Sequence, residues 1–160
     1  MSSRWILDGY NVMYAWQQLP SFQSLELTRD RFIHGVSQWQ ALGDQQLTIV
    51  FDSQRAETSL QEEYRGLQIL YSSSGANADG MIMNLIRQTL PSLRRSLTVV
   101  TKDLLLRDAI FSYGCIVLSP EAFWQEFYRV RSQVVSRQAK LKPFYRPFED
   151  FFQDRSLKNF

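Results

Sequence analysis

Residues 4–16 read RWILDGYNVMYAW, in which a short apolar run passes directly into an aspartate and a glycine. A run of this length and composition is typical of a buried β-strand. Because Asp, Gly and Asn all favour turns, the DGYN of residues 8–11 predicts one of two things. Either the chain simply turns there, or the strand delivers a carboxylate to a working surface.

Four more segments have the same character, each with four to six mostly β-branched or aromatic residues: 46–51, 67–71, 96–100 and 115–118. Apolar residues at helical spacing lie between them, in stretches that follow Ser24, precede Pro91, end at Gly114 and start at Ser119. Strands that alternate with helices indicate a parallel sheet covered on both faces. We therefore expect a single three-layer α/β/α domain with a mainly parallel sheet of about five strands. The polar residues 53–66 predict a long surface loop or a weakly signalled helix.

Length and composition favour one packed domain. The chain has 160 residues, of which 44% are hydrophobic and 21% charged, and its apolar runs are too short to cross a bilayer. With no leader pattern at residues 1–15, we expect a cytoplasmic protein without a membrane partner. His34 is the only histidine, which excludes RNA cleavage by a histidine pair, and no glycine-rich phosphate loop supports nucleotide-cofactor chemistry.

The charge is unevenly distributed along the chain. Residues 1–126 carry ten Lys or Arg and thirteen Asp or Glu, a net charge of −3, whereas residues 127–160 carry eight and three, a net charge of +5. An acidic body with a basic tail predicts a polyanionic partner that meets cations on the body as well.

Four aspartates follow predicted strands: Asp8, Asp52, Asp79 and Asp103. The carboxyl ends of parallel strands lie at one edge of a sheet, where ligands bind in open α/β folds. Each aspartate also has a local interpretation, since Asp8 and Asp52 suit turns and Asp79 and Asp103 suit helix N-caps. Together, however, carboxylates about 5 Å apart repel by roughly 3 kcal/mol per pair at an effective dielectric constant near 20. A divalent cation would remove that cost, and oxygen ligands alone favour Mg²⁺ or Mn²⁺.

Four short motifs occur in order on this series of strands and helices: LDGYNV at 7–12, VFDS at 50–53, SGANAD at 74–79 and VVTKD at 99–103. In this order they resemble the NYN domains of the YacP-like family, which are relatives of PIN-domain nucleases. The resemblance covers roughly residues 4–125. It implies a PIN-like nuclease domain, to which we assign residues 1–128. After this domain we expect a C-terminal basic-aromatic extension over 129–160, packed on the same domain.

The resemblance also implies an activity, that of a metal-dependent endoribonuclease, in some members directed at messenger RNA in association with the ribosome. It implies Asp8, Asp52, Asp79 and Asp103 as the acidic site and Asn11 as its polar neighbour. Asp8 and Asp103 are then the first choices as ligands of Mg²⁺ or Mn²⁺, and Asp79 completes the metal site. Asp52 binds metal or orients the attacking water.

Two positions depart from the family pattern. Gly80 stands where a second acidic residue is common, and Lys102 stands where a small hydroxyl residue often precedes the last aspartate. Gly80 removes a possible ligand or base, so a non-catalytic RNA- or ribosome-binding adaptor is the alternative function. Lys102 is either a phosphate contact or an ordinary exposed lysine, and Asn11 either a site residue or a turn or cap.

The C-terminal tail mixes cations with aromatic side chains. Lys140, Lys142 and Arg146 lie among Phe144, Tyr145, Phe148, Phe151 and Phe152. Aromatic rings among Arg and Lys can stack on unpaired bases while the cations contact phosphates. The alternative is that the rings pack on the domain and the cations face solvent, RNA or ribosome.

We predict that replacing Lys140, Lys142 and Arg146 together by Ala weakens RNA or ribosome binding. The salt dependence of binding should also flatten, because each lost phosphate contact removes roughly one counterion from the slope. Affinities measured over a range of salt concentrations test this. An unchanged slope in a normally folded variant would assign these cations to solvent.

Overall fold

The computed structural model of the protein describes residues 2–16, 23–53 and 60–139. Its sheet has six strands in the order β3-β4-β2-β1-β5-β6. The strands are β1 (Arg4–Asp8), β2 (Gln46–Phe51), β3 (Leu60–Tyr64), β4 (Leu67–Tyr71), β5 (Leu97–Val100) and β6 (Ile116–Leu118). The helices are α1 (Gly9–Tyr14), α2 (Leu25–Ala41), α3 (Ala78–Gln88), α4 (Leu104–Ser112) and α5 (Pro120–Ala139), and a 3₁₀ helix covers Pro91–Ser96.

Five of the strands are parallel, as expected from their alternation with helices. β1 lies at the centre, with Asp8 opposite Val50 of β2 and Leu7 opposite Val100 of β5. The helices cover both faces of the sheet. Apolar residues of α1, α2 and α5 pack on one face and those of α3 and α4 on the other. The expected α/β class with three layers is therefore confirmed.

Within the polar stretch 53–66, the expectation of a loop or a helix is wrong for residues 60–64. Residues Leu60–Tyr64 form β3, which pairs antiparallel with β4 and makes the sheet mixed. β3 is an edge strand whose residues are mostly exposed, so it needs no apolar face and lacks the pattern by which buried strands are detected. Residues 54–59 lie outside the described residues.

The DGYN of residues 8–11 begins a helix. α1 starts at Gly9, directly after the last residue of β1. The start is possible because position 9 has no side chain, since a Cβ there would lie 2.5 Å from Phe51 Cδ1 and 3.0 Å from Ile49 Cγ2. The close approach of α1 to β2 therefore requires this glycine.

Aromatic residues of α5 fasten the last helix to the domain. Phe123, Trp124 and Phe127 are buried, and Trp124 Nε1 donates a hydrogen bond to the Val12 carbonyl of α1 at 2.8 Å. The predicted division of the chain at residue 128 and the packing of the tail stay predictions. Within the described ranges, no helix has the length and apolar character needed to span a membrane.

We expect Gly9→Ala to lower the free energy of unfolding by about 1–3 kcal/mol, the usual cost of overpacking a core. The Phe51 ring that the new methyl group would meet is fully buried and cannot move aside. Urea denaturation measures the effect. Gly75→Ala is the matched control, since a Cβ at Gly75 has no atom within 4 Å and should change stability by less than about 0.5 kcal/mol. Equal effects of the two substitutions would contradict this account of Gly9.

Candidate active site

Asp8 lies at the centre of the carboxyl edge of the sheet and is only 7% exposed. Its Oδ2 accepts two hydrogen bonds, from Asn11 Nδ2 at 2.6 Å and from Thr101 Oγ1 at 2.8 Å. Although Asp8 precedes α1, its side chain makes no cap hydrogen bond to that helix. The carboxylate is therefore held by Asn11 and Thr101 and does not cap α1.

The surroundings of Asp8 disfavour its charge. Burial raises the pKa of this carboxyl group, the hydrogen bonds from Thr101 and Asn11 lower it, and the charges of Asp79 and Asp103 raise it, with a raised pKa as the net result. Binding of a proton or a cation therefore lowers the free energy of a carboxylate in this environment. Perturbed carboxyl groups of this kind are typical of functional sites.

Thr101 was missed as a site residue by the sequence analysis. It is fully buried, and its hydroxyl oxygen donates to Asp8 Oδ2 while it accepts a hydrogen bond from the Asp103 N–H at 3.2 Å. Thr is common in strands, so its place after Val99 and Val100 hides this role. The available signal was a hydroxyl side chain two residues before a helix-capping aspartate, where side chain to backbone bonds are frequent.

Asp103 and Asp79 both lie at helix starts but differ in role. Asp103 is the N-cap of α4, because its Oδ1 accepts a hydrogen bond from the Leu106 N–H at 3.0 Å. The cap interpretation of Asp79 is wrong, since Asn77 caps α3 through a bond from the Gly80 N–H to its Oδ1 at 2.8 Å. Asp79 lies one position inside the helix.

The pKa of Asp79 is also affected by its surroundings. Burial raises the pKa of its carboxyl group, and the charges of Asp103 and Asp52 raise it further. Asp79 is thus close enough to Asp8, Asp103 and Asp52 for their charges to interact. The four aspartates do gather at one edge of the sheet, as electrostatic neighbours.

Asp52 is exposed at the end of β2. Its Oδ1 accepts a hydrogen bond from Ser72 Oγ at 3.0 Å, and the same hydroxyl accepts one from the Ser53 N–H at 3.0 Å. Ser72 is fully buried just after β4 and was not identified from sequence. The bond holds Asp52 in place without burying its charge.

The phosphate contacts predicted for four cations are not tested by the structure. Lys102 is exposed between Thr101 and Asp103, and its role in phosphate binding stays a prediction. Lys140, Lys142 and Arg146 lie outside the described residues, so their predicted contacts also stay predictions.

The donor chemistry of this edge fits a hard divalent cation, since all available ligands are oxygens. Within residues 2–16, 23–53 and 60–139, however, no three His, Cys, Asp or Glu side chains converge enough to hold a metal ion by themselves. Mg²⁺ is commonly held through one or two carboxylates, with water at the other positions. Asp8 and Asp103 suit such a site. The hydrogen bonds that other described residues donate to each carboxylate go to one of its oxygens, Oδ2 of Asp8 and Oδ1 of Asp103.

A mainly parallel sheet with aspartates at its central carboxyl edge is the arrangement expected of a nuclease-like α/β fold, and the family match assigns the chain to that class. The chain belongs to the YacP-like NYN domain family, whose family model matches residues 5–160. The sequence is 26% identical over 140 residues to a Bacillus subtilis (strain 168) protein named "Uncharacterized protein YacP", covering 85% of this chain and 81% of that protein. The resemblance inferred from the four motifs is thereby confirmed.

Two crystal structures of Rae1 (YacP) from Bacillus subtilis share the fold. A mutant form superposes with a TM-score of 0.71 at 22% identity, covering 88% of this chain and 84% of that one. The other structure gives a TM-score of 0.66 at 23% identity, covering 86% and 80%. At these identities the likeness shows the fold alone.

We predict that Asp8→Asn melts at a higher temperature than the wild type at pH 7 in EDTA. The raised pKa means that the folded protein holds this proton more tightly than the unfolded chain does. The stability due to Asp8 is therefore present at acid pH and lost as the pH rises through the folded-state pKa. Asn cannot ionise, so the two melting temperatures should converge toward about pH 4, where the unfolded group titrates.

Addition of Mn²⁺ should narrow or reverse this difference in melting temperature between wild type and Asp8→Asn. The wild type gains about 2.7 kcal/mol at a hundred times its dissociation constant, and a variant that lacks a ligand gains less. Asp44→Asn is the control, since Asp44 is exposed between α2 and β2, at the opposite edge of the sheet. If the difference in melting temperature between wild type and Asp8→Asn changes with neither pH nor metal, the DGYN segment serves only to start a helix.

Proposed function

We propose that this protein is a metal-dependent endoribonuclease of the cytoplasm that hydrolyses phosphodiester bonds in single-stranded RNA, with messenger RNA presented by the ribosome as its substrate. The observation that carries the proposal is the buried Asp8 carboxylate, hydrogen-bonded at one oxygen and surrounded by further aspartates. Membership of the YacP-like NYN family supports the same reaction class.

The proposal gives each residue a role. Asp8 and Asp103 would hold Mg²⁺ or Mn²⁺ directly or through water, and Asp79 would complete the site from the first turn of α3. When bound, the cation lowers the pKa of water and stabilises negative charge at the phosphate. Asn11 and Thr101 orient Asp8 through their hydrogen bonds.

Asp52 contributes from the next strand. Because Ser72 hydrogen-bonds one of its oxygens, the exposed carboxylate is oriented and can accept a proton from the attacking water. Lys102 is exposed beside Asp103 and would pair with a phosphate of the bound strand. Water attacks the phosphorus and the bond to the 3′-oxygen breaks, so that the products carry a 5′-phosphate and a 3′-hydroxyl. The 2′-hydroxyl takes no part.

We expect the purified protein to cut single-stranded RNA internally with Mg²⁺ or Mn²⁺ and to stop in EDTA. Asp8→Asn should lower the rate by on the order of a hundredfold or more, since the metal supplies several kcal/mol of transition-state stabilisation. Asp44→Asn removes an equivalent charge from the opposite edge and should leave the rate unchanged. The assay follows end-labelled RNA on gels, both alone and on translating ribosomes.

Two results would overturn the proposal. Products with 2′,3′-cyclic phosphate ends would show that the 2′-hydroxyl is the nucleophile. RNA or ribosome binding without any cleavage, on naked RNA and on ribosomes alike, would indicate the adaptor function that Gly80 favours.

A further inference from the structure

A cleft of about 500 Å³ lies between α1 and the start of α2, beside the proposed active site. The cleft is lined by Tyr10 and Tyr14 of α1, by Arg29 of α2 and by the carboxylates of Glu26 and Asp52, together with Ser24, Leu25 and Ser53. Its volume lies within the range typical of small-molecule and nucleotide sites. The carboxylate chemistry described above uses only Asp52 of these residues, so the rest of the cleft has no role yet.

The two tyrosines form a supported aromatic surface, one helical turn apart on α1. Their rings stack with centroids 6.1 Å apart and planes at 24°, and Tyr10 packs in turn on the buried Phe51 at 4.9 Å. Tyr14 itself is 61% exposed. Its ring is thus held from one side by Tyr10 and open to solvent on the other, as a base-stacking surface requires.

Arg29 supplies a positive charge in the same cleft. Its guanidinium carbon lies 5.5 Å from the centre of the Tyr71 ring, and burial of the residue is partial. Glu26 and Asp52 in the cleft and the neighbouring acidic edge of the sheet repel phosphate. Arg29 is the cation of the cleft lining, so the approach of a polyanion to this cleft would depend on it.

We propose that this cleft binds one unpaired nucleotide of the RNA substrate, with its base stacked on Tyr14 and its backbone phosphate paired with Arg29. The inference rests on the proposed function and deepens it, because Asp52 belongs both to the cleft and to the acidic edge. A strand held in the cleft therefore passes the proposed site of cleavage. The cleft selects single-stranded RNA, since a base within a duplex is already stacked on its neighbours.

Binding can be tested without cleavage, by fluorescence anisotropy of a labelled single-stranded oligonucleotide in EDTA. Tyr14→Leu should bind about tenfold more weakly, in line with the loss of one stacked base, whereas Tyr14→Phe should bind like the wild type. Phe111→Leu is the matched control, since Phe111 is 76% exposed on α4, outside the cleft. Arg29→Met should make binding less dependent on salt concentration, by the amount expected for the loss of about one phosphate contact.

The base can be separated from the backbone with oligonucleotides that carry one abasic residue. At one position the missing base should weaken wild-type binding as much as Tyr14→Leu does, and that loss should disappear in Tyr14→Leu. Duplex RNA should bind both proteins equally. Unchanged single-strand binding by Tyr14→Leu, or equal weakening for duplex RNA, would overturn the cleft proposal.

The same measurements distinguish this proposal from the proposed function. Binding that depends on Tyr14 in a protein that cleaves neither naked RNA nor ribosome-bound RNA would overturn the nuclease activity and support the cleft. Cleavage that proceeds normally in Tyr14→Leu, with unchanged affinity, would overturn the cleft and support the nuclease.

Discussion

The hydrogen bonds to one oxygen of Asp8 connect three parts of the chain around the centre of the sheet. Asn11 donates from α1, and Thr101 donates from the residue after β5. Thr101 also accepts the Asp103 N–H, so the start of α4 is positioned relative to β1. Because the acceptor is a buried carboxylate, loss of either donor would leave its charge poorly compensated. The relative positions of β1, α1 and the start of α4 at the carboxyl edge therefore depend on this group.

The same group is a source of instability. Burial and the charges of Asp79 and Asp103 raise its pKa despite two hydrogen bonds, and Asp79 is subject to the same influences. A fold selected for stability alone would place neutral residues here. Sites that function often retain such unfavourable charge because ligand binding relieves it. The electrostatics of the edge thus agree with a cation-dependent activity.

Phe51 links the core of the domain to the surface beside the site. Its fully buried ring lies beneath Gly9, contacts Tyr10 and stacks on Tyr71 with centroids 5.5 Å apart. The guanidinium of Arg29 lies over the ring of Tyr71. One core side chain therefore supports both walls of the cleft, and the spacing of its tyrosines and arginine is set by packing rather than by a flexible loop.

The sequence alone determined the alternation of strands and helices, the family, the position of Asp8 at the end of a strand and that of Asp103 at the start of a helix. These follow from apolar periodicity and short motifs, which act over a few neighbouring residues. Edge strand β3 could not be predicted, because its exposed residues carry no apolar pattern. The bond between Thr101 and Asp8 joins residues 93 positions apart, and the cleft at Tyr14 is closed by α2. Only the tertiary structure decided these features, because register and helix packing bring together side chains that no local pattern relates.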